Sequence, residues 1–131
     1  MQMSIHKVFF TLAFAAIAAG CSQQVSYQND VFPILQGNCF TCHDGKGQGS
    51  QASGFVLLSY DDLMKGTKYG QVVVPGDSLS STLYLMIDHQ VDPEIQMPPH
   101  HDAAADGKMG PLSRDAISKI KTWIDQGAKN N

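Results

Sequence analysis

The stretch that decides the fold is Cys39-Phe40-Thr41-Cys42-His43, a C-x-x-C-H sequence. On a helical turn, positions i, i+3 and i+4 lie on one face, so the two thiols and the imidazole should point in the same direction. C-x-x-C-H is the attachment pattern for c-type haem. The spacing therefore predicts one haem c, bound covalently by Cys39 and Cys42, with His43 as the proximal ligand to its iron.

Three other uses of this cysteine pair fit the sequence less well. A thioredoxin-like C-x-x-C is expected to follow a strand inside a βαβ unit, whereas glycine-containing loops flank this one. A structural zinc site needs further ligands at suitable spacing, and only the downstream histidines offer them. A disulfide between Cys39 and Cys42 would close a very short loop and would give His43 no role.

The beginning of the chain has the features of an export signal. His6 and Lys7 precede an apolar run at residues 8–17, which small residues and Cys21 follow. A basic start, an apolar stretch of this length and small residues at its end are typical of a secretory leader. The run is too short to span a bilayer comfortably, which disfavours a retained membrane helix. We therefore predict a signal peptide over residues 1–20.

The leader ends in Ala18-Ala19-Gly20-Cys21, which resembles a bacterial lipobox. Lipidation of Cys21 would give a chain anchored on the periplasmic side of the inner or outer membrane, with the membrane as a partner through the acyl chains. The alternative is ordinary cleavage that leaves Cys21 as an exposed thiol. The remaining chain divides into a polar tether over residues 21–26 and a single domain, which carries the predicted haem site, over residues 27–131.

Charge and length limit the function. The chain has 131 residues and a formal net charge of -3. The charge becomes about -4 without the leader, because Lys7 is the only Lys, Arg, Asp or Glu in residues 1–20. A mildly acidic domain lacks the basic surface that phosphate neutralisation requires, so we expect no nucleic-acid partner.

Several residues are candidates for the distal iron ligand. Met97 is followed by two prolines, which fix an extended backbone and can hold a thioether in place at low entropic cost. Met109 is a rival in a flexible loop, and His100 or His101 would give a bis-histidine site instead. Met64 and Met86 lie in apolar helical patterns that favour packing. We therefore favour Met97.

The clearest helix lies near the C-terminus. Ser113 is a good N-cap, Leu112 and Ile117 are spaced as a hydrophobic staple, and Gly127 should end the helix. One face of this helix is apolar and consists of Ala116, Ile117, Ile120, Trp123 and Ile124.

Three further helices are predicted from apolar spacing. The expected partner of the C-terminal helix carries Val31, Ile34 and Leu35, with Pro33 tolerated in its first turn. A third helix is expected to contain Leu79, Leu83, Met86 and Ile87, and a short fourth helix to run from Ser59 to Met64.

These motifs together resemble the planctomycete-type cytochrome c domain, a branch of the class I cytochrome c superfamily. The stretches that carry the resemblance are Val31-Phe32-Pro33-Ile34-Leu35, Cys39-Phe40-Thr41-Cys42-His43, Val73-Val74-Pro75-Gly76-Asp77, Ser81-Thr82-Leu83-Tyr84, Met97-Pro98-Pro99 and Trp123-Ile124-Asp125-Gln126-Gly127-Ala128. The resemblance implies an all-α, class I cytochrome c-like fold with helices packed around one covalently attached haem. It also implies iron ligation by His43 and Met97.

The function that the resemblance implies is single-electron transfer between periplasmic or membrane-bound redox proteins, without catalytic activity. A haem-based ligand sensor and an accessory haem subunit of a larger membrane redox complex are the alternatives. By analogy with other class I cytochromes, the Pro75 carbonyl is a candidate acceptor for the ring N–H of His43, although Pro75-Gly76 taken alone is also a plain turn sequence.

Overall fold

A computed structural model describes residues 23–99 and 111–131, and the predicted leader, Cys21, His100, His101 and Met109 lie outside this range. The described residues are helical and contain no strand, as expected for an all-α fold. The α-helices are α1 (Phe32–Asn38), α2 (Phe40–His43), α3 (Gln48–Ser53), α4 (Tyr60–Lys65), α5 (Thr82–Ile87) and α6 (Arg114–Asp125). A π-helical turn at Tyr27–Val31 precedes α1, and a short 3-10 helix spans Pro93–Ile95. None of these helices has the length and apolar character needed to cross a bilayer.

Helix α6 confirms the prediction for the C-terminal segment. The Ser113 hydroxyl caps it by accepting a hydrogen bond from the Ala116 N–H at 3.2 Å. Its apolar face is buried, and Gly127 ends it with a φ of +100°, a conformation that favours glycine. This helix therefore presents a continuous apolar stripe to the rest of the domain.

Aromatic side chains join α6 to the beginning of the domain. The Tyr27 ring lies in the π-helical turn, with its centroid 5.5 Å from the Trp123 ring and 5.2 Å from the Tyr60 ring. The Trp123 Nε1–H donates to the Lys129 carbonyl at 2.9 Å, so the indole is buried without losing its hydrogen bond. The predicted partner of α6 is therefore found only in part: the π-helical turn, which contains Val31, makes the main contact and supplies its central ring, whereas α1, with Ile34 and Leu35, does not.

The segment before the domain is held against the C-terminus. The Gln126 side chain accepts from the Val25 N–H at 2.8 Å, and the Asn131 side chain accepts from the Tyr27 N–H at 2.9 Å. The Ser26 hydroxyl donates to the Asn131 backbone carbonyl at 2.8 Å. The described part of the predicted polar tether is therefore bonded to the domain at several points.

Helices α4 and α5 fall close to their predicted positions, with one difference. Leu79 was expected in the third helix, but it lies outside α5 and is 67% exposed. The Asp77 carboxylate accepts from the Ser80 backbone N–H at 3.0 Å and from its hydroxyl at 2.6 Å. This side-chain turn holds the backbone in a non-helical conformation, so the helix starts only at Thr82.

Asp88 ties α5 to the first turn of α6. Its carboxylate accepts from the Tyr84 hydroxyl at 3.0 Å, from the Gln90 amide at 2.6 Å and from the Arg114 guanidinium at 2.8 Å. These bonds, that from Gln90 foremost, hold the pKa of Asp88 below its ordinary value. The Asp88 side chain is largely buried, whereas that of Arg114 is exposed, so solvent screens the ion pair more than the neutral bonds.

We expect Asp88→Asn to lower the free energy of unfolding by about 1 kcal/mol at pH 7, because an amide replaces the acceptor oxygens of a hydrogen-bonded carboxylate. The folded-state pKa is depressed, so this contribution is complete above the ordinary aspartate value of about 3.9. It is lost as the pH falls through the lower folded-state value. Denaturant titrations of wild type and variant at several pH values will measure the difference.

The matched control is Glu94→Gln, which makes the same charge change at an exposed position on the 3-10 helix. It should change the free energy of unfolding at pH 7 little, because substitutions at exposed positions away from buried contacts usually have small effects. A wild-type advantage over Asp88→Asn that stays constant down to strongly acid pH would contradict the assignment.

Candidate functional site

The Cys39–His43 stretch forms one tight turn, and its functional side chains face the same cleft. Helix α2 follows Cys39, whose carbonyl accepts from the Cys42 N–H at 3.2 Å and from the His43 N–H at 3.0 Å. Cys39, Cys42 and His43 all line the cleft, as their i, i+3, i+4 spacing predicts. Met97 lines the same cleft although it is more than fifty residues away in sequence.

The cleft is apolar and partly open to solvent. The space between its walls, counted together with open solvent at its mouth, is about 780 Å³. Besides the four residues above, its walls are Asn38, Ser53, Phe55, Leu57, Thr67, Val72, Leu83, Met86, Ile87, Pro98 and Pro99.

The His43 ring is oriented by a backbone carbonyl. Its Nδ1 lies 3.1 Å from the Phe55 carbonyl oxygen. A carbonyl can only accept, so Nδ1 carries the hydrogen and the neutral ring keeps its lone pair on Nε2. Metal-binding histidines use this arrangement, in which the second ring nitrogen donates to a carbonyl and fixes the tautomer.

The acceptor is therefore Phe55, and the suggestion of Pro75 is wrong. Pro75 is exposed and lies in a turn, in which the Gly76 N–H donates to the Ile124 carbonyl at 2.8 Å. The Pro75–Gly76 turn is thus hydrogen-bonded to the end of α6. The acceptor for the His43 ring comes instead from the segment that follows α3.

Helix α3 lies directly against the Cys39–His43 turn. A β-carbon added at Gly49 would be 2.6 Å from His43 Cε1 and 2.7 Å from Nε2, closer than side-chain carbons come. A β-carbon at Gly47 would be 2.6 Å from the Cys42 carbonyl oxygen. Two glycines thus allow the backbone to approach the ring and the turn more closely than any other residue would permit.

A buried hydroxyl completes the surroundings of His43. The Ser50 side chain, 6% exposed, donates to the same Phe55 carbonyl at 2.9 Å and accepts from the Gly45 N–H at 2.9 Å. Ser50, Gly49 and the Phe55 carbonyl were not predicted as site residues. The glycine-rich sequence after His43 was the one signal that a close backbone approach occurs there.

Cys39 and Cys42 are unpaired thiols. Burial raises the pKa of Cys39 to about 12, with a further contribution from the neighbouring Cys42, so Cys39 has little tendency to ionise. A thiol oxidoreductase needs a lowered cysteine pKa, because the thiolate is the reactive form. The environment of Cys39 therefore disfavours the thioredoxin-like alternative.

Of the methionines in the described part of the chain, Met86 and Met97 line the cleft. The Met97 N–H donates to the Met86 carbonyl at 3.2 Å, and both side chains line the cleft. Met86 was expected to pack in the core, but it is half-buried at the cleft wall, whereas Met64 packs against the core as expected. The rivals His100, His101 and Met109 lie outside the described residues.

Comparison with known proteins gives one match. A family model described as Planctomycete cytochrome C matches residues 39–101, a range that begins at Cys39 and includes Met97. No curated protein and no solved structure matches the chain.

The close approach of α3 to His43 can be tested with two glycine substitutions in the mature protein. Gly49→Ala should lower the free energy of unfolding by about 1–3 kcal/mol, because the added methyl group overpacks against His43. Gly37→Ala is the control, since nothing lies within 4 Å of its added β-carbon. In α1 it should be neutral or stabilise by up to about 1 kcal/mol. Equal effects of the two substitutions in denaturant titrations would show that α3 does not constrain the histidine.

Proposed function

The chain belongs, through residues 39–101, to the planctomycete cytochrome c family, and we propose that it is a monohaem c-type cytochrome that carries single electrons between redox proteins. A cytochrome c domain implies covalently bound haem c and a role in electron transfer. The finer assignments, one haem per chain and His43 and Met97 as its ligands, are part of the proposal.

The observation that carries the proposal is the meeting of two thiols, an oriented imidazole and a thioether in one apolar cleft. These are the groups that a c-type haem requires, and the apolar walls suit a flat hydrophobic macrocycle. The residues present therefore fit the cofactor.

Each residue has a distinct role in this proposal. Cys39 and Cys42 would form the two thioether links, so the cofactor could not leave without breaking covalent bonds. His43 would bind iron through Nε2, with its Nδ1–H bonded to the Phe55 carbonyl. Met97 would supply the second ligand, and a methionine ligand raises the reduction potential relative to a second histidine. When bound, haem supplies a metal centre that accepts and releases one electron.

The apolar walls of the cleft favour a role as an electron carrier over a role as an enzyme that makes or breaks bonds. Apolar side chains such as Leu57, Val72 and Leu83 keep water away from the ligand atoms. His43 and Met97 would together hold the iron, which fits a carrier better than an enzyme that binds substrate at the metal. The fixed His43 ring also limits rearrangement when the charge of the site changes, which favours fast transfer.

The test is an absorption spectrum of the protein matured with a c-type haem-attachment system. In alkaline pyridine we expect a c-type spectrum with one haem per chain. The oxidised protein should show the weak long-wavelength band of methionine ligation. Met97→Leu should lose this band, because leucine offers no ligand atom.

Met86→Leu is the matched control, since Met86 lines the same cleft and is similar in size. It should keep the band. Loss of the band in Met86→Leu alone would move the distal ligand to Met86, and a wild-type protein without covalent haem would refute the proposed function.

We further propose that acylated Cys21 anchors the domain to a membrane on the periplasmic side. The Gln126 side chain contacts both Gln23 and Val25, through hydrogen bonds of 3.2 Å and 2.8 Å. Only Ser22 therefore lies between Cys21 and Gln23, whose carbonyl is bonded to the domain, and two residue steps span about 7 Å at most. An anchor at Cys21 would hold the domain close to the lipid surface.

Cys21→Ser should release the protein from the membrane fraction of cells that express it, because serine cannot carry the thioether-linked lipid. The haem spectrum should be unchanged, since Cys21 lies outside the C-x-x-C-H motif. Cell fractionation with detergent phase partitioning will measure the difference. Wild-type protein that partitions into the aqueous phase would contradict the anchor.

A further inference from the structure

We propose that Ser50 is a positioning residue that raises the reduction potential of the haem site by sharing the carbonyl to which His43 donates. This inference rests on the proposed function, because it requires His43 to bind the haem iron. It concerns a residue outside the C-x-x-C-H motif and outside the ligand set.

The hydrogen positions follow from the chemistry of the partners. The Phe55 carbonyl can only accept, so both the His43 Nδ1–H, at 3.1 Å, and the Ser50 hydroxyl, at 2.9 Å, donate to it. The Gly45 N–H can only donate, so it donates to Ser50 Oγ at 2.9 Å. The result is a directed chain that runs from Gly45 through Ser50 to the carbonyl of Phe55.

This series of hydrogen bonds should weaken the hydrogen bond between the Phe55 carbonyl and the His43 ring. A hydroxyl that accepts one hydrogen bond is polarised and donates more strongly in the next, and the effect grows in a buried site. Ser50 and Phe55 are 6% and 7% exposed. Electron density that the Phe55 oxygen shares with Ser50 is less available to the His43 N–H.

The direction of the effect on the iron follows. A stronger acceptor at Nδ1–H makes the imidazole more basic at Nε2, and a more basic ligand stabilises the oxidised metal. Because the Phe55 carbonyl also accepts from Ser50, it is a weaker acceptor for the His43 Nδ1–H. His43 is therefore a weaker electron donor to the iron than it would be if it were the only donor to that carbonyl. The site therefore favours the reduced state.

Close contact leaves the ring little freedom to compensate. The backbone of Gly49 packs at the Cε1–Nε2 bond of His43, and Gly49 lies next to Ser50 in α3. The Gly54 N–H donates to the Ser50 carbonyl at 2.7 Å, which fixes the end of the same helix. Removal of the hydroxyl should thus change the carbonyl's hydrogen bonding more than the position of the ring.

The experiment is a redox titration of the mature haem protein and its Ser50→Ala variant, with mediators and an optical readout. The equilibrium between oxidised and reduced protein should shift roughly threefold to tenfold toward the oxidised form, the range that one hydrogen bond spans. In the reduced protein, the proton resonance of the His43 Nδ1–H should move downfield, because its hydrogen bond becomes stronger. Ser50→Thr, which keeps the hydroxyl, should restore both values.

Ser81→Ala is the matched control for loss of a buried serine. Ser81 is 0% exposed, accepts from the Val74 N–H at 2.8 Å and donates to the Asp77 carbonyl at 2.7 Å. It has the same bonding pattern as Ser50, but its acceptor is the Asp77 carbonyl and not the Phe55 carbonyl that the His43 ring uses. We expect its loss to reduce stability and to leave the reduction potential unchanged.

The results of these experiments distinguish the proposed role of Ser50 from the proposed function as a cytochrome. A Ser50→Ala protein that keeps the haem and methionine bands but has a wild-type potential, or a shift toward the reduced form, overturns the role of Ser50 and leaves the cytochrome assignment intact. A wild-type protein without haem, or one in which His43 is not a ligand, overturns both. If the alanine variant does not accumulate, the isosteric Ser50→Thr and Ser50→Val pair makes the same comparison.

Discussion

The contact on which the site depends is that of α3 with the Cys39–His43 turn. The turn alone brings two thiols and an imidazole to one face, but it does not fix the rotation of the ring. That rotation is set by the Phe55 carbonyl, which reaches Nδ1 because α3 ends at Ser53 and Gly54 reverses the chain with a φ of +72°. Two residues after Phe55, the Leu57 N–H donates a hydrogen bond to the His43 carbonyl at 2.9 Å. The histidine is thus bonded at both its ring and its backbone to the same returning segment.

The sequence was sufficient for the parts of this protein that depend on local patterns. The spacing of Cys39, Cys42 and His43 predicted their shared face, and the cap at Ser113 with a periodic apolar face predicted α6. The prediction that Leu79 lies in the third helix was wrong, because apolar spacing carries no information about competing side-chain hydrogen bonds. Here the competing turn is the one that Asp77 makes with Ser80. Local hydrogen bonds of this kind end a helix regardless of the periodicity around them.

Long-range contacts limited the prediction of the site. The acceptor for His43 is a main-chain carbonyl, and any residue can supply one, so no side-chain pattern identifies Phe55. Met86 and Met97 also illustrate the limit, because both line the cleft once the chain returns from the 3-10 helix to α5. An apolar residue at helical spacing faces whatever lies beside that helix, and one side of α5 in this domain faces the cleft.

The cleft and the hydrophobic core are built from the same side chains. Phe55, Leu57, Val72, Leu83 and Ile87 are all at most 7% exposed, and all five also line the cleft. The described α-helices have between 4 and 12 residues, whereas isolated helices need about 12–15 residues to be even marginally stable in water. Their stability must come from tertiary contacts, and many of those contacts are made at the cleft wall. A hydrophobic group bound there would pack against the core itself, so we expect binding of the cofactor to be coupled to folding of this domain.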